Sequence, residues 1–234
     1  MKSIKRMAIG AMVALMMMTS CGTTQTVPLT GRTHRISVSD EQVFSLSNQE
    51  YTKYMATAKK STNAQHTAMV QRVGRKLATA VETYLKQNGF ANDVKNYAWE
   101  FNLVQDKSAN AFCMPGGKIV VYEGLLPYTQ NETALAIVLG HEIAHAVAKH
   151  SAEQLTKQQN QQVGTNILGN VLNQAVGSGV GDLASAVAGK YFSFRNLKYS
   201  RDNETEADYM GLIFAAMAGY DPQQAIPFWK RMSQ

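Results

Sequence analysis

One stretch decides the fold and the chemistry of this sequence: Leu139-Gly140-His141-Glu142-Ile143-Ala144-His145-Ala146-Val147. A spacing of four residues places His141 and His145 on one face of a helix, with Glu142 beside them. The other residues from Ala134 to Ala148 are Ala, Leu, Ile, Val and Gly. The stretch therefore predicts a buried helix that carries two imidazoles and one carboxylate.

Polar side chains in a buried helix carry a large desolvation cost unless they bind something. A divalent cation satisfies both histidines at once, and H-E-x-x-H is the pattern in which the glutamate is the general base of a zinc hydrolase. The alternative is a pair of hydrogen-bonded core histidines, which leaves the glutamate unexplained. We therefore predict one Zn²⁺ per chain, bound by His141 and His145, with Glu142 as the catalytic base.

A third metal ligand is expected, because catalytic zinc usually has three protein ligands. The candidate lies in Asn203-Glu204-Thr205-Glu206-Ala207-Asp208. Glu204 and Asp208 share one helix face, whereas Glu206 lies on nearly the opposite side. We predict that Glu204 binds the metal, that Asp208 orients a ligating histidine, with His141 favoured, and that Glu206 is dispensable. An acidic, solvated helix start is the alternative.

The same residues resemble a known family. H-E-x-x-H followed by N-E-x-x-x-D is similar to the gluzincin metallopeptidases, and three further strings narrow the resemblance: Val27-Pro28-Leu29-Thr30-Gly31-Arg32, Asn110-Ala111-Phe112-Cys113-Met114-Pro115-Gly116-Gly117 and Tyr199-Ser200-Arg201. Together they resemble metallopeptidase family forty-eight, the family of the CAAX prenyl protease. Within it, the bacterial periplasmic lipoprotein peptidases of the BepA and LoiP type are most similar. The resemblance extends from about Val27 to the C-terminus.

The resemblance implies an α+β, mainly helical, zincin-like metallopeptidase domain with a small β-sheet or hairpin beside the active-site helix. It also implies that one segment is a sheet edge that binds an extended peptide substrate by adding it as a strand. That segment comprises Asn110, Ala111, Phe112 and Cys113. A plain hairpin is the alternative. Relatives continue past the helix of Phe228 and Trp229 into a segment with a His-Pro pair, so an ending at Gln234 indicates a short form or an incomplete sequence, and no oxyanion stabiliser is assigned.

The N-terminus has the features of a bacterial leader. A basic start, Met1 to Arg6, precedes an apolar run from Met7 to Met18 that is too short to span a bilayer. Residues 1–20 are predicted to be a signal peptide. The end of the leader, Met18-Thr19-Ser20-Cys21-Gly22, resembles a lipobox, so Cys21 is predicted to carry lipid. Ordinary secretion with an incidental cysteine is the alternative.

The resulting organisation is a lipidated N-terminus and tether at 21–38, followed by one zinc metallopeptidase domain at 39–234. A length of 234 residues with 45% hydrophobic and 17% charged side chains suits one domain with a buried core.

Lys2, Lys5 and Arg6 of the leader contribute half of the net charge of +6. The net charge left on the rest of the chain is too small to favour nucleic acid as a partner. With Cys21 acylated, Cys113 has no disulfide partner and is read as a small hydrophobe.

The remaining features are a helix cap, three further histidines and a glycine-rich segment. Thr129-x-x-Glu132 is predicted to be the capping box that begins the active-site helix. His150, nine residues after His141, is out of phase and is predicted not to be a ligand. His34 and His66 have no partner spacing and are predicted to be surface residues. The glycine-rich segment from Gly164 to Gly189 is either a lid or membrane-facing segment over the site, or a loosely packed helical hairpin.

Three functions follow from these interpretations. The first is a zinc endopeptidase, anchored to a bacterial membrane and facing the periplasm, that cuts misfolded or envelope proteins; the outer membrane is the favoured location. The second is a zinc-binding, chaperone-like envelope assembly factor with latent proteolysis. The third is a zinc hydrolase of a non-peptide amide. The substrate is a protein or peptide only in the first.

Overall fold

The computed structural model describes residues 22–172 and 193–233. The predicted signal peptide, Cys21 and residues 173–189 of the glycine-rich segment lie outside these ranges, so lipidation and the lid stay predictions. Within the described ranges the chain is mainly helical with two small β-sheets, as the sequence predicted.

The strands are β1 (Thr23–Thr26), β2 (Thr33–Ile36), β3 (Glu100–Val104), β4 (Ala111–Met114) and β5 (Lys118–Tyr122). The helices are α1 (Asp40–Thr57), α2 (Ala64–Gln87), α3 (Ala91–Val94), α4 (Leu126–Thr129), α5 (Glu132–Val147), α6 (His150–Leu172), α7 (Arg201–Met217) and α8 (Ala225–Met232). Short 3₁₀ turns lie at Glu123–Leu125, Phe194–Asn196 and Pro222–Gln224.

A three-stranded sheet lies beside the central helix. Its order is β3-β5-β4, with β3 parallel and β4 antiparallel to β5. Gly116 and Gly117 both have φ of +84° in the tight turn that joins β4 to β5, a conformation that favours glycine. Of the strands that the structure describes, β4 pairs only with β5. It is therefore an edge strand, as the family resemblance implied for this segment, and substrate binding along it stays a prediction.

The core surrounds α5, which packs against α7, α2 and β4. The buried face of α2 has helical spacing, with Val70, Val73, Leu77, Val81 and Leu85 all fully buried. The crossing of α5 and α7 is close because it is lined by glycine. A Cβ at Gly140 would lie 2.6 Å from the Gly211 carbonyl oxygen, and a Cβ at Gly211 would lie 2.6 Å from the His141 nitrogen. This close approach brings the carboxylates of α7 within reach of the histidines on α5.

The start of α5 differs from the prediction. Asn131, not Thr129, is the N-cap, and its side chain accepts a hydrogen bond from the Ala134 N–H at 2.9 Å. The Thr129 hydroxyl instead donates to the Leu126 carbonyl within α4. Gln130 has φ of +63° and ends α4 in the left-handed conformation. Because this break lies between Thr129 and α5, the predicted capping box cannot form.

The predicted tether also differs, because most of it is ordered structure. From Thr23 to Ile36 the chain forms the antiparallel hairpin β1-β2, and β2 packs on α6. Val27 in its turn is buried in the main core. The hairpin was missed because its strands are threonine-rich and lack a run of alternating apolar residues. Among the helices in the described part of the chain, none is long and apolar enough to cross a membrane.

Candidate metal centre

Three predicted ligands meet where α5 crosses the first turn of α7. His141 and His145 project from one face of α5, with their Nε2 atoms 3.1 Å apart. Glu204 Oε2 lies 3.4 Å from His141 Nε2 and 3.8 Å from His145 Nε2. Ser200 caps α7 in a reciprocal capping box with Asn203, which fixes Glu204 in the first turn. The structure thus brings Glu204, and not Glu206, to the two histidines.

The geometry of this trio fits a zinc ion. Ligand atoms at about 2.0–2.1 Å from a tetrahedral zinc lie roughly 3.3 Å from one another, close to the three observed separations. The chemistry of the donors agrees. When Asp208 is ionised it can only accept a hydrogen bond, so His141 Nδ1 must carry the proton. In a neutral His141 ring the other nitrogen, Nε2, then presents a lone pair. That lone pair points at the other two acceptors, an arrangement that a cation stabilises.

Asp208 lies on the outer side of His141. Its Oδ1 is 2.8 Å from His141 Nδ1, the bond that the sequence predicted for the carboxylate one turn after Glu204. Such a carboxylate fixes the orientation and the tautomer of a ligating histidine. The Asp208 side chain is 54% exposed, so it contacts His141 from the solvent-exposed side of the ring.

Glu142 lies between the histidines and the edge strand. Burial raises the pKa of Glu142 above its usual value. The Cys113 backbone N–H, on the side of β4 that faces away from β5, acts to lower the pKa of the Glu142 carboxyl. A carboxylate whose pKa is raised toward neutrality is a better proton acceptor and donor for work near pH 7. Cys113 itself is a buried thiol, which suits its interpretation as a small hydrophobe.

His150 is brought back to the site by a break in the helix. Lys149 has φ of +54° between α5 and α6 and donates to both Asp40 and Asp93. His150 then begins α6, and its Nδ1 lies 2.9 Å from His145 Nδ1. Burial lowers the pKa of His150 to about 4, so the ring is neutral at neutral pH. It touches the predicted ligand His145 but is not one of the three residues of the trio, so its assignment as a non-ligand stays a prediction.

Glu206, which the sequence predicted to be dispensable, has more partners than its helix face suggests. It points away from Glu204, as expected, but it is buried and accepts from three side chains: His150 Nε2 at 2.9 Å, Thr30 Oγ1 at 2.6 Å and Arg32 Nε at 2.8 Å. Burial acts to raise its pKa, but the bonds from Arg32, Thr30 and His150 outweigh burial and hold the pKa at about 2. Glu206 is therefore a charged link between the β1-β2 hairpin and His150.

His34 also corrects a prediction, because it is buried and not on the surface. Its Nδ1 lies 3.1 Å from Glu153 Oε2, which also accepts from Arg32 at 3.0 Å. These bonds join β2 to α6 behind the site. The spacing rule failed because Glu153 is 119 positions away in the chain. His66, by contrast, is exposed, as predicted.

Tyr199 completes the surroundings of His145. Its ring stacks on His145 with centroids 4.1 Å apart and 19° between the planes, and its hydroxyl bonds Ser151 at 2.9 Å. Sequence reasoning gave no role to Tyr199, Thr30 or Arg32. A signal was present nonetheless: all three lie in the short strings that carried the family resemblance.

The gluzincin class of metallohydrolase is defined by a helix that bears H-E-x-x-H and by a glutamate from a second helix close to both histidines, and this chain has both features. The match to known sequences identifies the family. Residues 64–234 match the model of Peptidase family M48, and since this is well over half of the chain, the chain belongs to that family. The predicted family and class of enzyme, a metallopeptidase, are thereby confirmed.

Named relatives come from mitochondria and bacteria. The chain is 32% identical over 153 residues to mitochondrial metalloendopeptidase OMA1 of Schizosaccharomyces pombe, covering 65% of this chain and 43% of that protein. It is 30% identical over 207 residues to the human mitochondrial OMA1, covering 88% and 39%. It is 25% identical over 144 residues to the beta-barrel assembly-enhancing protease of Escherichia coli K12, covering 61% and 29%. The chain thus spans less than half the length of these relatives.

Proposed function

We propose that the protein is a zinc-dependent endopeptidase that is anchored by lipid at Cys21, faces the bacterial periplasm and cuts exposed segments of misfolded or envelope proteins. The observation that carries the proposal is the trio of His141, His145 and Glu204 with Glu142 beside it. Membership in a peptidase family supports hydrolysis of a peptide bond over another amide. The E. coli relative, by its name, acts in β-barrel assembly, which supports an envelope role.

Each residue of the site has a separate role in the proposed hydrolysis. A zinc ion, when bound by the trio, supplies the Lewis acidity that activates water and polarises the scissile carbonyl. Glu142 takes a proton from the attacking water and passes it to the leaving amine, which suits its raised pKa. Asp208 holds His141 through Nδ1.

The substrate is proposed to bind along the free edge of β4. The Tyr122 N–H donates to the Asn110 carbonyl, so this pair is hydrogen-bonded across the ladder. In an antiparallel ladder the next residue, Ala111, directs its N–H and C=O away from β5. These groups can pair with an extended peptide, which places the peptide backbone beside Glu142.

Ala111→Pro tests this placement. Proline removes one donor on the free edge without removing a bond to β5. We expect kcat/KM for an unfolded protein substrate to fall by roughly tenfold, the scale of one lost hydrogen bond of about 1 to 1.5 kcal/mol, with zinc content unchanged. Ala111→Gly, which keeps the N–H, is the control. Equal kcat/KM for Ala111→Pro and the parent would remove the edge from the substrate site.

Lipidation is tested by Cys21→Ser. The variant should no longer be processed as a lipoprotein and should leave the detergent-extracted membrane fraction, because the thiol that carries lipid is gone. Fractionation of cells and mass measurement of the mature N-terminus report both effects. Cys113→Ser, which alters the other cysteine, should stay in the membrane. Membrane association that survives Cys21→Ser would rule out this anchor.

A degradation assay tests the function as a whole. Purified protein is incubated with casein or an unfolded envelope protein, with and without a chelator and then with zinc restored. The proposal expects cleavage that the chelator abolishes and zinc restores. Zinc binding without cleavage would favour the chaperone-like assembly factor, and cleavage of a non-peptide amide alone would favour the third function.

A further inference from the structure

We propose that a relay of hydrogen bonds, running from the β1-β2 hairpin through Glu206 and His150, fixes which nitrogen of His145 faces the metal. Arg32, Thr30, Glu206 and His150 are then positioning residues of the metal centre. The inference rests on the proposed function, because it assumes that His145 binds zinc. It adds to the centre a segment, residues 23–36, that precedes the family match at 64–234.

The direction of each bond follows from the donors and acceptors. A zinc ligand at His145 Nε2 requires a lone pair on Nε2, so a neutral His145 carries its proton on Nδ1. That proton points at His150 Nδ1, 2.9 Å away, which must accept it. His150 then carries its own proton on Nε2 and donates it to Glu206 Oε2 at 2.9 Å. A carboxylate only accepts, so this polarity is the one the relay can adopt.

Burial makes the relay difficult to replace with water. His150 is 0% and Glu206 9% exposed, and both ring nitrogens of His150 are used. A buried imidazole that lost one partner would keep an unsatisfied polar atom, which costs about 1–3 kcal/mol. The neutral tautomer of His145 is therefore set by His150 and not by solvent. His141 has the equivalent partner in Asp208, but that carboxylate comes directly from α7.

The hairpin supplies the far end of the relay. Thr30 Oγ1 and Arg32 Nε donate to the two oxygens of Glu206, which orients the carboxylate toward His150. The turn that holds them is fixed by backbone bonds: Val27 N–H to the Arg32 carbonyl at 2.7 Å, and Gly31 N–H to the Val27 carbonyl at 3.0 Å. Val27 is 1% exposed and anchors the turn in the main core. The donors are thus preorganised before a metal binds.

The test is the zinc dissociation constant, measured by competition with a chromophoric chelator on the full chain. His150→Phe removes both nitrogens and is expected to weaken zinc binding by about 10-fold to 100-fold, the usual scale for lost support behind a ligand. His150→Gln can accept from His145 with its amide oxygen and donate to Glu206 with its amide nitrogen. It should recover most of the affinity, which a purely structural role for the ring would not predict.

Two more variants test the hairpin end of the relay and provide a control. Arg32→Met removes the donor at the hairpin end, on a side chain that is 33% exposed, and should weaken zinc binding in the same direction by a smaller factor. If His150→Phe does not fold, parent-like zinc affinity in both Arg32→Met and Glu206→Gln would overturn the relay. Lys157→Ala is the control, because Lys157 bonds Glu153 at 2.8 Å and takes no part in the relay. Its zinc binding should equal that of the parent.

The outcomes separate the relay from the proposed function. Parent-like zinc affinity in a folded His150→Phe, or a loss in His150→Gln as large as in His150→Phe, would overturn the relay. Unchanged affinity in Arg32→Met would overturn the part assigned to the hairpin. A parent protein that binds no zinc would overturn the proposed function and the relay together. A parent that binds zinc and obeys the relay yet cleaves no protein would contradict only the proposed function.

Discussion

Glu142→Gln is expected to keep close to one zinc per chain and to lose proteolysis by a factor on the order of 10² or more, the scale of a lost general base. The amide keeps the shape of the side chain and leaves His141, His145 and Glu204 in place. It cannot take a proton from water. The measurement pairs zinc analysis of the purified variant with the rate of casein cleavage.

Glu132→Gln is the matched control for this variant. Glu132 lies at the start of the same helix and is ion-paired with Arg72, away from the metal centre. Its cleavage rate should equal that of the parent. If Glu142→Gln cleaves as fast as the parent, Glu142 is not the base and the peptidase mechanism is wrong.

Removal of a metal ligand is expected to have the opposite signature, with zinc lost together with activity. His141→Ala, His145→Ala and Glu204→Ala each leave two protein ligands, too few for a tight catalytic site. Zinc analysis after dialysis should find far less than one zinc per chain in each. Asp208→Ala should fall between, with zinc binding about 10-fold to 100-fold weaker, because it only orients His141.

Glu204 and Glu206 make a direct comparison on one helix. Glu204→Ala should lose zinc outright, whereas Glu206→Ala should weaken zinc binding only as far as the loss of support for His150 requires. The buried contacts of Glu206 are the reason to expect an effect larger than its helix face alone predicts. Zinc that is stripped by Glu206→Ala and retained by Glu204→Ala would show that the ligand was assigned to the wrong glutamate.

The parts of the site that the sequence predicted depend on local helical periodicity. His141 and His145 are four apart, as are Glu204 and Asp208, and each pair shares a face as long as its helix is regular. Both helices are regular across these pairs. The choice of Glu204 over Glu206 needed no more than this rule.

The parts that the sequence missed depend on breaks and on distant contacts. His150 follows the left-handed residue Lys149, so its position cannot be extrapolated along the helix of His145. Helix phase alone places Glu206 opposite Glu204, but its partners Thr30 and Arg32 lie 176 and 174 positions away. Contacts of that kind require the tertiary fold, which spacing rules do not contain.

The most direct test of the central claim is an anomalous difference map, at the zinc absorption edge, from crystals of the zinc-loaded protein. The account predicts one strong peak about 2.0–2.1 Å from His141 Nε2, His145 Nε2 and a carboxylate oxygen of Glu204. A peak on Glu206 and His150 instead, or no peak between the two histidines of α5, would contradict it.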